Sequence, residues 1–233
     1  MNSSRLKPVV AIDGPAGAGK STVTRLLAQR LGYTRVDTGA LYRSVAWLSW
    51  QRGIAPTDAE AVGAVASELS RPGALELREA DDQTWVLLEG RELGPELRTQ
   101  EIGSLASLVS QLQSVREGLL EMQRMLGRNG GVVLEGRDIG TVVFPDAEVK
   151  FFLTASVEVR AERRLDEILS RGKSAELGEV IHEVKERDRR DSERPVAPLR
   201  RAEDAVVIDS SRLSIEQVIE KMAAIVKSVE KSK

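Results

Sequence analysis

The sequence predicts an α/β fold built on a doubly wound parallel sheet, and three observations carry that prediction. Apolar runs of strand length recur along the chain, PVVAID at 8–13, GVVLE at 131–135, EVKFFL at 148–153 and AVVID at 205–209. Between them lie longer segments whose apolar residues repeat at helical spacing. The stretch from Gly14 to Ser21, GPAGAGKS, satisfies GxxxxGK[ST] and stands between the first strand and the first helix.

Taken in order, Pro8 to Asp13 reads as a buried parallel strand because it is continuously apolar. The following KSTVTRLLAQRL places Val23, Leu26, Leu27 and Leu31 on one helical face, and Gly32 is a natural stop. Tyr33 to Val36 predicts a short second strand. Asp37-Thr38-Gly39 then precedes a helix lined by Leu41, Val45 and Leu48 that ends near Gly53, and a further helix is expected over about residues 57–69. From Leu75 to Leu97 the text alternates and turns (LELRE, ADDQ, TWVLLE, GREL), which predicts a small antiparallel meander. It interrupts the α/β rhythm and reads as an insertion.

Helical pattern returns from about Thr99 to Leu126, broken around Gln111 to Ser114, and Asn129-Gly130-Gly131 closes it. After the strands at 131–135 and 148–153 come two charge-rich helices, about 157–170 and 177–194, joined at Arg171-Gly172-Lys173. The strand at 205–209 leads to a last helix from Ser214, where Ser214 and Gln217 fit a capping box.

Composition sets the class. A chain of 233 residues with 41% hydrophobic side chains can bury one substantial α/β domain with insertions, or two small ones. The absence of cysteine excludes disulfides and thiolate metal sites, so a cytoplasmic home fits. No apolar stretch of signal-peptide length precedes the first motif, and nowhere do membrane-spanning numbers of apolar residues run together, so no membrane partner is expected. With a net charge of −2 the chain has no bulk electrostatic reason to bind nucleic acid.

The Gly14 to Thr22 loop (Gly14, Pro15, Ala16, Gly17, Ala18, Gly19, Lys20, Ser21, Thr22) carries the sharpest chemistry. Glycines let backbone N–H groups turn inward around phosphate oxygens, Lys20 offers a point charge to the β and γ phosphates, and Ser21 offers a hydroxyl to Mg²⁺. The alternative is a Gly-rich turn that merely caps a helix. A dinucleotide-binding GxGxxG is not completed, since Thr22 stands at its last glycine.

If the bound triphosphate donates a phosphoryl group, a second anion must be held close to it. Two unit charges about 4 Å apart repel by about 4 kcal/mol at an effective dielectric of about 20. Cations must offset that, and three places supply them. Asp37 to Arg43 puts a helix start beside Arg43, either as a phosphate site or as an ordinary cap with a surface arginine. Glu135-Gly136-Arg137-Asp138 lies at the C-terminal end of a buried strand, where open α/β sheets bind ligands, though a strand-end turn with a local ion pair would read the same. Arg187, Arg190, Asp191 and Arg194 share one helix face, and Arg160, Arg163 and Arg164 cluster on the helix before. They could form a lid, or they could be a solvated face of i,i+4 pairs such as Glu183 with Arg187, Glu186 with Arg190 and Arg187 with Asp191.

Together IDGPAGAGKST, DTGALYR, LRTQEI, EGRDIGTVVFPDA, KERDRRDSERPVAPL and DSSRLSIEQVIEK resemble the bacterial cytidylate kinases in motif and order, over about residues 8–221. The resemblance implies one domain over 1–233 with a P-loop kinase core, a CMP-binding insertion at 63–102 that contains the meander, and a helical lid at 157–195. It implies ATP, CMP and dCMP as ligands, Mg²⁺ carried as ATP·Mg²⁺ with Ser21 as its ligand, and a monomer. Thr38, Arg43, Arg137 and Arg194 would surround the CMP phosphate, Ser107, Arg116 and Asp138 would read cytosine, and Arg187 and Asp191 would contact sugar or phosphate. Arg160 and Arg164 would join the loop in binding ATP, with Lys20, Arg137, Arg187 and Arg194 as the catalytic cations. The base reading has a chemical rationale, because cytosine carries an exocyclic amine that an ionised carboxylate accepts, where uracil has a carbonyl.

In-line transfer to an already ionised phosphate needs no general base, which suits a chain whose one histidine, His182, sits in a charged helix and reads as surface. Trp47, Trp50 and Trp85 read as packing rather than as a stacking platform. A guanine-reading NKxD signature, which a nucleotide-dependent switch would want, is absent from the sequence.

Overall fold

The computed structural model describes residues 5–80, 83–170 and 172–232. In chain order the elements are β1 (Val9–Asp13), α1 (Lys20–Leu31), β2 (Thr34–Asp37), α2 (Thr38–Gln51), α3 (Ala59–Leu69), β3 (Leu75–Ala80), β4 (Gln83–Leu88) and β5 (Arg91–Leu93). A 3₁₀ turn at Pro95–Arg98 precedes α4 (Gln100–Val109) and α5 (Gln113–Gly127). Then come β6 (Val132–Gly136), a π-helical turn at Ile139–Val143, β7 (Val149–Thr154), α6 (Val157–Ser170), α7 (Leu177–Glu193), β8 (Val206–Asp209) and α8 (Ile215–Lys231). The predicted reversal at Asp81-Asp82, and Arg171 of the turn joining the charged helices, lie outside the described residues.

The chain divides into two compact units, one of Met1–Thr34 with Gly130–Lys233 and one of Arg35–Asn129. In the first unit the strands run parallel in the order β6-β1-β7-β8. All of β1 and most of β6 are buried, as a parallel sheet covered on both faces requires. Its core sets Val10, Ile12, Val133, Phe151 and Leu153 against Val23 and Leu27 of α1 and Val218, Met222 and Val226 of α8.

Register decides where this sheet can work. Asp13 is level with Gly136 on one side and Phe152 on the other, and Thr154 is level with Asp209. The segments that follow β1, β6, β7 and β8 therefore leave from one edge, the C-terminal edge at which open α/β sheets bind ligands. Helix α8 starts at the predicted capping box, with Ser214 Oγ accepting from Gln217 N–H and the Gln217 side chain accepting from Ser214 N–H.

The second unit holds helices α2 to α5 with the predicted meander, β3-β4-β5, antiparallel throughout. Leu41, Val45, Trp47, Val62, Leu69, Val86, Leu93 and Leu119 form its core. Helices α3 and α5 approach closely because small residues face each other: a Cβ on Gly63 would lie 2.5 Å from that of Ser114. Trp85 packs against Gly94, and Trp47 is buried, but Trp50 is 49% exposed and contributes little to packing. Helix α2 begins at Thr38, two residues before the expected start, so Arg43 falls in its second turn.

Candidate active site

The loop after β1 is shaped by its glycines and held by its carbonyls. Gly14 has φ +152, and a Cβ there would lie 1.9 Å from the carbonyl oxygen of Leu153 on β7, so only glycine passes. Lys20 Nζ donates to the carbonyls of Gly14 at 2.8 Å and Pro15 at 2.7 Å. Arg160 Nη1 donates to Ala16 O at 3.0 Å, and Ser210 Oγ and Arg163 Nη1 reach Ala18 O at 3.4 and 3.5 Å. In a planar trans peptide the next N–H points opposite to the carbonyl. Fixing these carbonyls thus fixes the N–H groups of Ala16, Gly17 and Gly19, which is how such a loop cradles an anion.

Lys20 is buried, and burial lowers its pKa well below the usual lysine value, with Arg137 lowering it further against the pull of Glu135. An anion brought beside it would favour the charged ammonium. One residue on, Ser21 Oγ donates to Glu135 Oε2 at 2.8 Å, joining the first turn of α1 to the end of β6.

At the end of β1, Asp13 accepts from the N–H groups of Ile139 and Gly140, each at 2.8 Å. These bonds anchor the π-helical turn whose preceding residues are Arg137 and Asp138. Burial pushes the Asp13 carboxyl up to about 6, against the opposing effect of the two N–H donors.

Four of the predicted acceptor residues meet here. Arg137 Nε donates to Asp191 Oδ2 at 2.7 Å, and Arg194 Nη2 donates to Asp138 Oδ1 at 3.3 Å. Arg194 Nε also donates to Ala197 O at 2.6 Å, closing the end of α7. Burial alone would raise Asp191, but Arg137 and Arg187 outweigh it and hold the carboxylate below its usual pKa. Arg187 also bears on Lys20, so the cation of α7 and that of the loop share one electrostatic neighbourhood. On α7 the Glu186 carboxylate pairs with Arg189 at 3.2 Å and not with Arg190 as expected; Arg190 Nε donates instead to the backbone oxygen of Glu186.

In the second unit Arg43 pairs with Asp37. Burial would raise Asp37, yet Arg43 and Arg35 bring its pKa down overall. Thr38, Ser107 and Arg116 are all buried, the last two at 6% and 7% exposure, so neither is an ordinary surface-helix residue. Arg116 Nη1 donates to Ser110 O at 3.2 Å and its guanidinium lies 5.4 Å from the Tyr42 ring centre. Ser107 Oγ is buried without a hydrogen-bond partner among the described residues.

The cytidylate kinase family model matches residues 10–228, nearly the whole chain. The chain belongs to the cytidylate kinase family. It is similar to the cytidylate kinase of Geobacter sp. strain M21, at 54% identity over 94% of this chain and 92% of that one. The cytidylate kinase of Methylococcus capsulatus strain Bath is 46% identical over 95% of this chain and 97% of its own length. A solved gluconokinase from Sinorhizobium meliloti 1021 superposes with a TM-score of 0.50 at 15% identity, covering 98% of this chain and 96% of its own, a likeness of fold alone.

Within a cytidylate kinase framework, several residues of the donor side were not legible in advance. Asp13 occupies the same kind of strand end as Glu135, and the rule that singles out Glu135 applies to it equally. Asp188 is one charge among many on α7, and nothing in the sequence marks its bond to Arg160. Arg163, rather than Arg164, reaches the loop; Arg164 pairs with Glu167 at 3.0 Å on its own helix.

Proposed function

We propose that this chain transfers the γ-phosphoryl group of ATP to CMP or dCMP, giving ADP and CDP or dCDP. Beside the family membership, one observation supports this most: a loop with outward-held carbonyls and a cluster of paired arginines, Arg137 with Asp191 and Arg194 with Asp138, stand at one sheet edge. A donor cradle needs only the first. The second has a use when another anion is brought there.

A phosphate oxygen of CMP attacks the γ phosphorus in line, the bond to the β–γ bridging oxygen breaks, and ADP leaves. The attacking oxygen is ionised at neutral pH, so no base is required, and exposed His182 takes no part. Lys20 exchanges the carbonyls of Gly14 and Pro15 for the β and γ phosphates. Arg137, Arg187 and Arg194 stabilise charge on the transferring group, an interaction commonly worth about two or more orders of magnitude in rate.

The loop from Gly14 to Thr22 binds ATP, with Arg160 serving through the loop backbone and Arg164 joining once it leaves Glu167. Thr38 and Arg43 bind the CMP phosphate together with Arg137 and Arg194, Ser107, Arg116 and Asp138 read the cytosine, and Arg187 and Asp191 contact the sugar or phosphate. The Ser21 hydroxyl beside the Glu135 carboxylate fits the sparse protein ligation that Mg²⁺ accepts when phosphates and water complete its shell. When bound, Mg²⁺ supplies charge neutralisation at the β and γ oxygens.

Residues 63–102 serve as the CMP-binding insertion and 157–195 as the lid of a single catalytic domain, which acts as a cytoplasmic monomer. Among the described residues no helix is long and apolar enough to cross a membrane. A coupled ADP-release assay with CMP, dCMP, UMP, AMP and shikimate as acceptors tests the reading. CMP or dCMP is expected to stimulate release most, and no stimulation by either above background hydrolysis would refute it.

A further inference from the structure

Gly17 is not one of the glycines that the loop motif demands, and the reason for it lies in α6. Gly17 has φ +76, and a Cβ there would sit 3.1 Å from both the Cβ and the backbone oxygen of Arg160. The loop therefore rests directly on the residue whose side chain holds it. Arg160 is buried and spends its donors on three partners: Nε to Ala155 O at 2.9 Å, Nη1 to Ala16 O at 3.0 Å and to Asp188 Oδ1 at 2.9 Å, and Nη2 to Asp188 Oδ2 at 2.6 Å. The last two form a two-point fork between guanidinium and carboxylate, which fixes orientation as well as distance.

Asp188 lies on α7 one residue after Arg187 and one helical turn before Asp191. Of the ion pairs that α7 makes with other elements, Asp191 goes to Arg137, while Asp188 goes to the arginine that carries the loop. The chain of contacts is Ala16 carbonyl, Arg160, Asp188, and then the helix bearing Arg187 and Asp191.

We propose that Asp188 is a positioning residue: acting through Arg160, it ties the phosphate loop to α7, so that loop amides and the Arg187–Asp191 face hold one fixed spacing. It touches neither nucleotide. Its effect on rate is geometric, since misplacement of reacting groups by about 1 Å can cost about 100-fold.

The catalytic part of this inference rests on the proposed phosphoryl transfer to CMP, so the test has one arm that does not. In the ligand-free protein, amide hydrogen exchange over residues 16–19 is compared between wild type and Asp188→Asn, which keeps the shape and removes the charge. Exchange faster by about tenfold or more is expected, because the bond from Arg160 to Ala16 O loses its backing. Unchanged exchange overturns the proposal whatever the acceptor is.

Steady-state rates with ATP and CMP form the second arm. Asp188→Asn is expected to lower kcat about tenfold or more while KM for ATP moves less than about threefold. In an Arg160→Lys background the same substitution should add no further loss, because Asp188 has no other route to the loop. Wild-type kcat, or losses that multiply in the double variant, overturns the proposal. A wild-type enzyme inactive on CMP fails the substrate reading instead, and the exchange arm then decides this one. Should Asp188→Asn not fold, Asp188→Glu keeps the charge and lengthens the tether by one methylene. A fall in kcat at an unchanged melting temperature is expected of it, and wild-type kcat contradicts the positioning role.

Discussion

Arg137 and Asp191 meet at 2.7 Å between the turn after β6 and the last turns of α7, and both side chains are largely removed from water. Asp191 has almost no solvent to fall back on, and Arg137 has little, at 7% and 20% side-chain exposure. Truncating one partner leaves the other buried and unpaired, which costs about 3–5 kcal/mol. Asp191→Ala is therefore expected to lower the unfolding free energy by about 3 kcal/mol in urea denaturation. A loss under about 1 kcal/mol would mean that water already reaches the pair.

Two buried carboxylates shift in opposite directions with pH. Asp191 sits below its usual pKa, so its contribution is present above the unfolded value of 3.8 and is lost as pH falls through the lower folded value. Asp13 is raised to about 6, so its contribution is fully present below 3.8 and is lost as pH rises through about 6. Carboxyl carbon NMR of the ligand-free enzyme should show one resonance, absent from Asp13→Asn, with a midpoint near 6. A midpoint for Asp13 near 4 contradicts the burial argument.

Gly14 and Gly32 both have positive φ, but only Gly14 faces an obstruction. Gly32→Ala, with nothing within 4 Å, should cost about 1 kcal/mol for the left-handed backbone alone. Gly14→Ala must also displace the Leu153 carbonyl, so a larger loss and the disappearance of ATP binding by calorimetry are expected. Equal losses for the two variants would show that the loop yields without strain.

The pairing of Asp138 with Arg194 bears on selectivity. Asp138→Ala removes the carboxylate proposed to accept the cytosine amine, and the preference for CMP over UMP in kcat/KM should fall by about tenfold or more. An unchanged ratio would leave Asp138 a partner of Arg194 and nothing else.

What the sequence made legible is what local chemistry dictates. The α6 span, Val157–Ser170, agrees with the periodicity, the capping box at Ser214 is present, and the meander is where alternation and turns place it. What escaped it depends on partners distant in sequence. Arg160 and Asp188 lie on successive helices; helical spacing offers Asp188 the nearer Lys185 and offers Arg160 no carboxylate at all, so neither position marks the other. Ser107 and Arg116, singled out by the family resemblance and by no local pattern, are both buried. Helix α2 starts two residues early, at Thr38, with Asp37 at its N-cap position and paired to Arg43. Trp50 shows the reverse error, a large apolar ring half in water.

The most direct measurement follows the phosphoryl group itself. With ATP labelled at the γ phosphorus and CMP in excess, the label is predicted to appear at the β position of CDP in step with ADP formation. Label recovered only as inorganic phosphate, with CMP unchanged, would contradict the account.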